Sequence, residues 1–375
     1  MADISISRMI GGIKEFLGSR RAREAQKRLL NAYRRQKNDR PPIIQGYDFL
    51  LPKYFPQEMA KDPEKNLLFQ TSQCYGGIQV GSDYYPSFDM SMPFGTVMVP
   101  EAFGCQIEWM PEAAPWAKPM ITSPGQVYSL KAPKLSEAKM INEIKKHIDY
   151  ANRQTGGKIP MRIIDMQCPF SASCQVWDAE ELMMACYTNP KEVHHLLRIM
   201  TDFSIEFIRT YISWLPNIAY PGRDFPAVTE NIGITIADDT PLIMLSNELY
   251  HEFALPYNIE VAKAFGKISV HSCGDYARQL DNMMEIPGLT AIQCHIGPGE
   301  MKALPLLEKM KGKVTIWADW NPVTLGGYAD ARQLYEQYSL VHLKNFGAGL
   351  ILLGVGGKDL GEIKANYQWL CGEFK

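Results

Sequence analysis

A histidine and two cysteines follow the ends of two consecutive apolar runs in the second half of the chain. His271 and Cys273 flank one serine after the run ISVH, and Cys294 ends the next run after 20 intervening residues. Alternate side chains at a strand end can turn toward one ion, and one imidazole with two thiolates suits a catalytic zinc. The spacing therefore predicts a metal site of His271, Cys273 and Cys294. Because no C-x-x-C pair is present, a buried thiol pair beside a hydrogen-bonded His271 is the alternative.

Polar side chains also follow the other apolar runs. In a barrel of parallel strands, the residues that do chemistry lie where strands end and loops begin. Such positions hold Asp165, Gln167, Asp238, Asp239, Asp275, His295, Asp319 and Asn321. We predict that Asp165 and Asp239 orient a substrate or take part in proton transfer. Their alternative role is to hydrogen-bond to His271 or to cap a loop.

The elements that would position these residues repeat one pattern: a short apolar run, a polar or glycine-containing loop, and an amphipathic helix. Long apolar strands alternating with helices indicate parallel strands buried on both faces. The runs lie at residues 42–45, 161–166, 232–237, 268–271, 289–294, 314–318 and 349–353. With an eighth strand expected within residues 50–160, we predict an α/β fold, a (β/α)8 TIM barrel. A dinucleotide fold has little support, since GVGG at 354–357 falls short of G-x-G-x-x-G.

Two stretches depart from this pattern. Residues 1–40 are rich in arginine and lysine and are predicted to form an N-terminal helical extension with a solvated basic face. An anion-binding or docking arm is the alternative for that face. Residues 72–130 are rich in Tyr, Pro, Met and Gly, and we predict that they fold as a cover over the barrel mouth. Residues 41–375 then form one catalytic domain that includes this cover.

The composition narrows the class of protein. At 46% hydrophobic and 21% charged residues the chain can bury a large core, and its net charge of −2 gives no general attraction to nucleic acid. We expect no membrane association, because no apolar run reaches the ~20 residues of a spanning helix. Eight scattered cysteines lack the density of a disulfide scaffold, which predicts a reducing, cytoplasmic location.

Five segments from about residue 40 onward form a recognisable set: DYYPSF (83–88), AFGC (102–105), DMQCPF (165–170), ADDTPLIMLSNELYHEFALPY (237–257) and ISVHSCGD (268–275). The set resembles the superfamily of uroporphyrinogen decarboxylases and cobamide-dependent methyltransferases. In kind, it is most similar to the corrinoid-dependent O-demethylase methyltransferases. The resemblance implies a uroporphyrinogen decarboxylase-like barrel.

The two branches of that superfamily imply different chemistry. Decarboxylases carry an arginine-rich segment after the first strand for the substrate's carboxylates, whereas residues 43–52 (IIQGYDFLLP) contain no arginine. Methyltransferases hold zinc through His-x-Cys, matched by His271 and Cys273, and a cysteine after the last strand. That third ligand is missing from residues 351–360 (ILLGVGGKDL). Cys294 is the first candidate replacement, with Glu230 or Asp239 behind it; otherwise the site binds no metal.

The resemblance implies a methyltransferase that moves a methyl group from a small methylated donor, such as a methoxylated aromatic, to the cobalt of a separate corrinoid protein. Zinc would act as Lewis acid on the leaving atom. The corrinoid would come with the partner, because no D-x-H-x-x-G signature occurs in the chain. A metal-free decarboxylase or lyase acting on a small acid is the alternative. A homodimer is compatible with the sequence, which does not fix the oligomeric state.

Overall fold

The computed structural model describes residues 5–47, 54–110, 113–164, 166–297, 309–320 and 329–375. The strands are β1 Ile43–Ile44, β2 Gln106–Glu108, β3 Trp116–Lys118, β4 Met161–Arg162, β5 Ile218–Ala219, β6 Ile234–Ala237, β7 Ile268–His271, β8 Leu289–His295, β9 Thr315–Asp319 and β10 Leu350–Leu353. The helices are α1 Ile6–Gly18, α2 Arg20–Tyr33, α3 Pro56–Lys61, α4 Pro63–Val80, α5 Met98–Ala102, α6 Lys139–Thr155, α7 Pro169–Val176, α8 Ala179–Thr188, α9 Pro190–Trp214, α10 Asp239–Met244, α11 Asn247–Phe253, α12 Leu255–Phe265, α13 Leu280–Met283, α14 Ala331–Leu334, α15 Leu340–Leu343 and α16 Leu360–Glu373.

The central sheet is parallel and follows the order of a barrel. Six strands pair in the order β1-β10-β9-β8-β7-β6, and β4 pairs with β5. Isolated parallel bridges join Gln167 to Ala237 of β6, and Phe88 to Met161 of β4. Asp83 donates its backbone N–H to Ile43 of β1, so the segment up to Phe88 fills the place between β1 and β4. This segment takes the position of the eighth strand expected within residues 50–160, although the ladder is continuous over six strands only.

The alternation of side chains along the strands separates two apolar layers. Ala291, Trp317 and Ile351 face the interior, where they pack with Leu29 and Tyr33 at the end of α2. Ile292, Cys294 and their equivalents on other strands face the surrounding helices.

Helix α2 closes the amino end of the barrel. The hydroxyl of Thr315, the first residue of β9, donates to the carbonyl of Ala32 over 2.9 Å. The Tyr33 hydroxyl donates to the carbonyl of Pro226 over 2.7 Å. Helix α2 therefore forms the floor under the strands.

Part of the expected basic face is internal. Arg28 and Arg40 both bind Asp83, which is 3% exposed, at 2.5 and 2.6 Å. These arginines clamp α2 and the start of β1 to the segment after α4, so they are not part of a solvated face.

The predicted cover over the barrel mouth, residues 72–130, includes at its start residues that belong to a helix. Residues 72–80 form the C-terminal half of α4, which packs on α1. Gly77, one of the glycines that made this stretch look irregular, is a packing position, since a Cβ there would lie 2.5 Å from the Tyr84 ring. The later part of the stretch holds a two-stranded hairpin of β2 and β3 and short helices.

Every helix within the described part of the chain is too short or too polar to span a lipid bilayer.

Candidate metal centre

Three predicted residues converge where β6 and β7 end. His271 is the last residue of β7, and Cys273 lies two residues after it. Asp239, two residues after the end of β6, is the first residue of α10. Asp238 donates its backbone N–H to the carbonyl of His271 over 2.8 Å. Cys273 in turn donates its N–H to Oδ1 of Asp239 over 2.9 Å. These backbone contacts bring a carboxylate, an imidazole and a thiol to one point.

The ligand atoms have the spacing of a metal site. His271 Nε2 lies 3.7 Å from Cys273 Sγ and 3.7 Å from Asp239 Oδ1, and all three atoms lie within 4.8 Å of one another. Tetrahedral zinc with ordinary bond lengths would separate such atoms by roughly 3.4–3.6 Å. Small side-chain movements would therefore bring all three onto one ion. The residues present fit zinc with a fourth position open.

The tautomer of His271 also suits a metal ligand. Its Nδ1 is hydrogen-bonded to Oε1 of Gln293, which can only accept, so the proton lies on Nδ1 when the ring is neutral. The lone pair on Nε2 then faces Cys273 and Asp239. A metal-ligating histidine commonly donates its second nitrogen in this way.

The same geometry argues against a Cys-His-Asp catalytic triad. In a triad, one ring nitrogen faces the nucleophile and the other faces the carboxylate. Here Cys273 and Asp239 both face Nε2, while Gln293 occupies Nδ1. A thiol and a carboxylate that share one ring nitrogen are placed as the ligands of a common metal ion would be.

Without a metal, the Cys273 thiol and the His271 imidazole shift each other's pKa in opposite directions. Burial lowers the pKa of His271, but the hydrogen bond with Cys273 and the negative charges of Asp224 and Asp239 outweigh it and raise the pKa to about 10. The hydrogen bonds from His271 and His295 lower the pKa of Cys273. Zinc would displace the proton of the imidazolium, so its binding would release acid.

Cys294, the predicted third ligand, does not reach this cluster. Its side chain is fully buried, and Sγ contacts only the carbonyl of His295 among its described hydrogen-bond partners, at 3.7 Å. Burial raises the pKa of its thiol, which disfavours a thiolate. Because successive residues of a strand point to opposite faces, Cys294 faces the helices when Gln293 and His295 face the site. For this geometric reason the structure does not bring Cys294 to the cluster of Asp239, His271 and Cys273.

Glu230 and Asp239, the two other candidates for the third ligand, lie in different places. Glu230 lies away from the cluster, in an ion pair with Arg34 at 2.5 Å. Asp239 occupies the third position. It was also predicted to be catalytic, and its place beside Nε2 of His271 favours a ligand role. Asp165, the other predicted catalytic residue, lies outside the described residues.

Sequence reasoning missed Gln293, and it placed His295 and Asp319 at strand ends without giving either a specific role. Gln293 bridges His271 to Asp319, donating its Nε2–H to that carboxylate. His295 Nδ1 lies 2.8 Å from Asp319 Oδ1. Burial lowers the pKa of His295, but Asp319 and Cys273 outweigh it and raise the pKa to about 10. The sequence feature that could have identified Gln293 and His295 is the alternation of side chains along β8, which places both residues on the same face of the strand.

A buried carboxylate, Asp238, lies directly before the candidate ligand Asp239. It is fully buried and accepts hydrogen bonds from Cys168, Tyr250 and Asn258. Burial raises its pKa to about 6 despite these hydrogen bonds. Its side chain is directed into the helix layer.

Comparisons with known proteins identify the family. A family model described as uroporphyrinogen decarboxylase (URO-D) matches residues 24–214, which is half of the chain. No curated protein matches the sequence significantly. A solved methyltransferase from Methanosarcina mazei is similar in fold, with 16% identity, a TM-score of 0.65, and coverage of 92% of this chain and 98% of the other. A B12-independent methionine synthase from a Shewanella species matches more weakly, with 12% identity, a TM-score of 0.47, and coverage of 89% and 97%. The chain belongs to the uroporphyrinogen decarboxylase family, as its sequence motifs indicated.

Proposed function

We propose that this protein transfers a methyl group from a small methylated donor, such as a methoxylated aromatic, to the cobalt of a separate corrinoid protein. The observation that carries the proposal is the convergence of Asp239, His271 and Cys273 on one point at the carboxyl end of the strands. The similarity in fold to a methyltransferase is consistent with it but shows the fold alone.

In the proposed reaction the bond between the methyl carbon and the donor's oxygen breaks. The methyl group passes to Co(I), which supplies the electron pair and becomes methyl-Co(III), and the oxygen keeps the electrons of the broken bond. When bound, zinc supplies positive charge that stabilises the departing oxygen.

The chain's own residues prepare this step. Asp239 and Cys273 contribute one negative charge each, which balances a divalent ion, and Gln293 orients His271 through Nδ1. Asp239 is also a harder ligand than the cysteine that the methyltransferase branch uses, which suits chemistry at oxygen. His295, held beside Cys273 by Asp319, is the candidate proton donor to the departing oxygen.

Metal content gives the first test. We expect purified wild-type protein to bind about one equivalent of zinc, and Cys273→Ala to lose it together with the methylation of Co(I) followed by absorbance. Cys294→Ala is the matched control, because this second cysteine lies on the other face of β8 and should leave both properties unchanged. Zinc below about a tenth of an equivalent, even after supplementation, would contradict the Lewis-acid mechanism.

A metal-free decarboxylase or lyase is the second candidate, since the matched family model is that of uroporphyrinogen decarboxylase. Removal of zinc with a chelator distinguishes the two candidate functions. The methyl-transfer proposal predicts loss of turnover that returns with added zinc. Decarboxylation of a small acid that persists without metal would favour the second candidate.

A further inference from the structure

The buried carboxylate of Asp238 accepts three hydrogen bonds on the side away from the metal ligands. The Cys168 thiol donates over 2.7 Å, the Tyr250 hydroxyl over 2.6 Å and the Asn258 amide over 2.8 Å. All three partners are donors toward Asp238. The surroundings of the Asp238 side chain therefore suit a carboxylate, which accepts hydrogen bonds and donates none.

The three donors come from three different helices. Cys168 is the N-cap of α7, where its sulfur also accepts from the N–H of Ser171 over 3.3 Å. Tyr250 lies in α11 and Asn258 in α12. The Asp238 side chain therefore ties the end of β6 to three helices of the outer layer.

The backbone on either side of this carboxylate leads directly to the three candidate ligands. Asp238 donates its N–H to the carbonyl of His271 over 2.8 Å. The next residue, Asp239, accepts the N–H of Cys273 over 2.9 Å. A displacement of Asp238 would therefore move Asp239 and loosen both contacts with the β7 end.

We propose that Asp238 is a positioning residue of the candidate metal centre: its bonds to Cys168, Tyr250 and Asn258 hold the end of β6 where Asp239 can meet His271 and Cys273. This inference rests on the proposed function, because it concerns the zinc site of that reaction. Asp238 itself touches neither the ion nor the substrate.

A merely structural role predicts a different result. Asp238 would then contribute to the stability of the fold like any buried polar group, and its replacement would lower the melting temperature without a specific effect on zinc affinity. The test must therefore measure zinc affinity and thermal stability in the same variants.

Asp238→Asn keeps the size of the side chain but replaces one accepting oxygen by an NH2 group that meets a donor. Asp83→Asn is the matched control. Asp83 is also buried and accepts from the donors Arg28, Arg40 and Ile43, but it lies at the amino end of the barrel. We expect both variants to melt at lower temperature.

Zinc affinity, measured by competition with a chromophoric chelator, should fall about 10-fold or more in Asp238→Asn, the lower range for loss of a residue that supports a metal ligand. Asp83→Asn should bind zinc within about twofold of wild type. In the Co²⁺-substituted protein, the visible spectrum should change only in Asp238→Asn. Unchanged affinity and spectrum in folded Asp238→Asn would overturn the proposal.

Tyr250→Phe decides the question if Asp238→Asn does not fold. It removes one donor and keeps the carboxylate, so we expect a smaller but measurable loss of zinc affinity, whereas zinc affinity equal to wild type would overturn the proposal. Wild-type protein that binds no zinc would refute the proposed function and this inference together. Wild-type binding with unchanged affinity in the variants would refute the inference alone.

Discussion

The hydrogen bond between Gln293 and His271 should control zinc affinity. In Gln293→Met the side chain keeps its approximate length but loses both the acceptor for His271 Nδ1 and the donor to Asp319. The imidazole can then rotate, and its Nδ1–H is left without its partner. Because one hydrogen bond to a charged group contributes about 1.5–3 kcal/mol, and about 1.4 kcal/mol is tenfold in affinity, we expect zinc to bind roughly 10–100-fold more weakly.

A second buried glutamine supplies the control for this experiment. Gln279 is also fully buried, donates to the carbonyl of Leu245 over 2.9 Å and accepts from Asn282 over 2.9 Å, with no contact to the candidate ligands. Gln279→Met should lower the melting temperature but leave zinc affinity unchanged. Chelator competition at constant pH measures the affinity of both variants. If Gln293→Met binds zinc within twofold of wild type, the assignment of His271 Nε2 as a metal ligand oriented by Gln293 is refuted.

Two further predictions concern reactivity and packing. In metal-free protein, iodoacetamide should alkylate Cys273 first among the eight cysteines. The pKa of this thiol should lie below its ordinary value of 9, because hydrogen bonds from His271 and His295 favour the thiolate. Added zinc should protect Cys273 from alkylation. Peptide mass spectrometry checks the site, and equal labelling of several cysteines would contradict the expectation. Gly77→Ala should lower the free energy of unfolding by about 1–3 kcal/mol, since its Cβ would lie 2.5 Å from the Tyr84 ring. Gly11→Ala, whose Cβ would meet nothing within 4 Å, should instead stabilise α1 by roughly 0.5–1 kcal/mol, as urea denaturation can measure.

The strands of the second half could be predicted because each is an uninterrupted apolar run. The run 268–271 coincides with β7. The runs that become β8 and β10 differ from these strands by one residue at one end, and the run that becomes β9 is shifted by one residue. The strands in the first half of the chain were harder to predict. The segment ending at Phe88 lies between β1 and β4 through a backbone bond to β1 and one bridge to β4, and its Tyr-Pro sequence has no strand periodicity.

The candidate site could be predicted only in part. The adjacency of His271 and Cys273 is local, so the sequence contains it. Asp239 reaches them because β6 and β7 are neighbours, with Ala237 opposite His271. The prediction of Cys294 rested on its spacing from Cys273 and left out the alternation of side chains along a strand. Val270 pairs with Ile292, which makes Gln293 the neighbour of His271 and turns Cys294 away. Such pairing depends on the register of the sheet, and the spacing alone does not determine it.

Because α2 forms the floor of the barrel, it limits how far the protein can be shortened from its N-terminal side. Residues 1–40 were expected to be an extension beside a domain of residues 41–375, yet Leu29 and Tyr33 pack against Trp317 and Ile351 inside the barrel. A shortened protein beginning at residue 41 would expose these interior side chains to water from below. The family model, which begins at residue 24, includes most of α2. The smallest unit able to fold therefore includes this helix, and attempts to trim the protein should stop before residue 20.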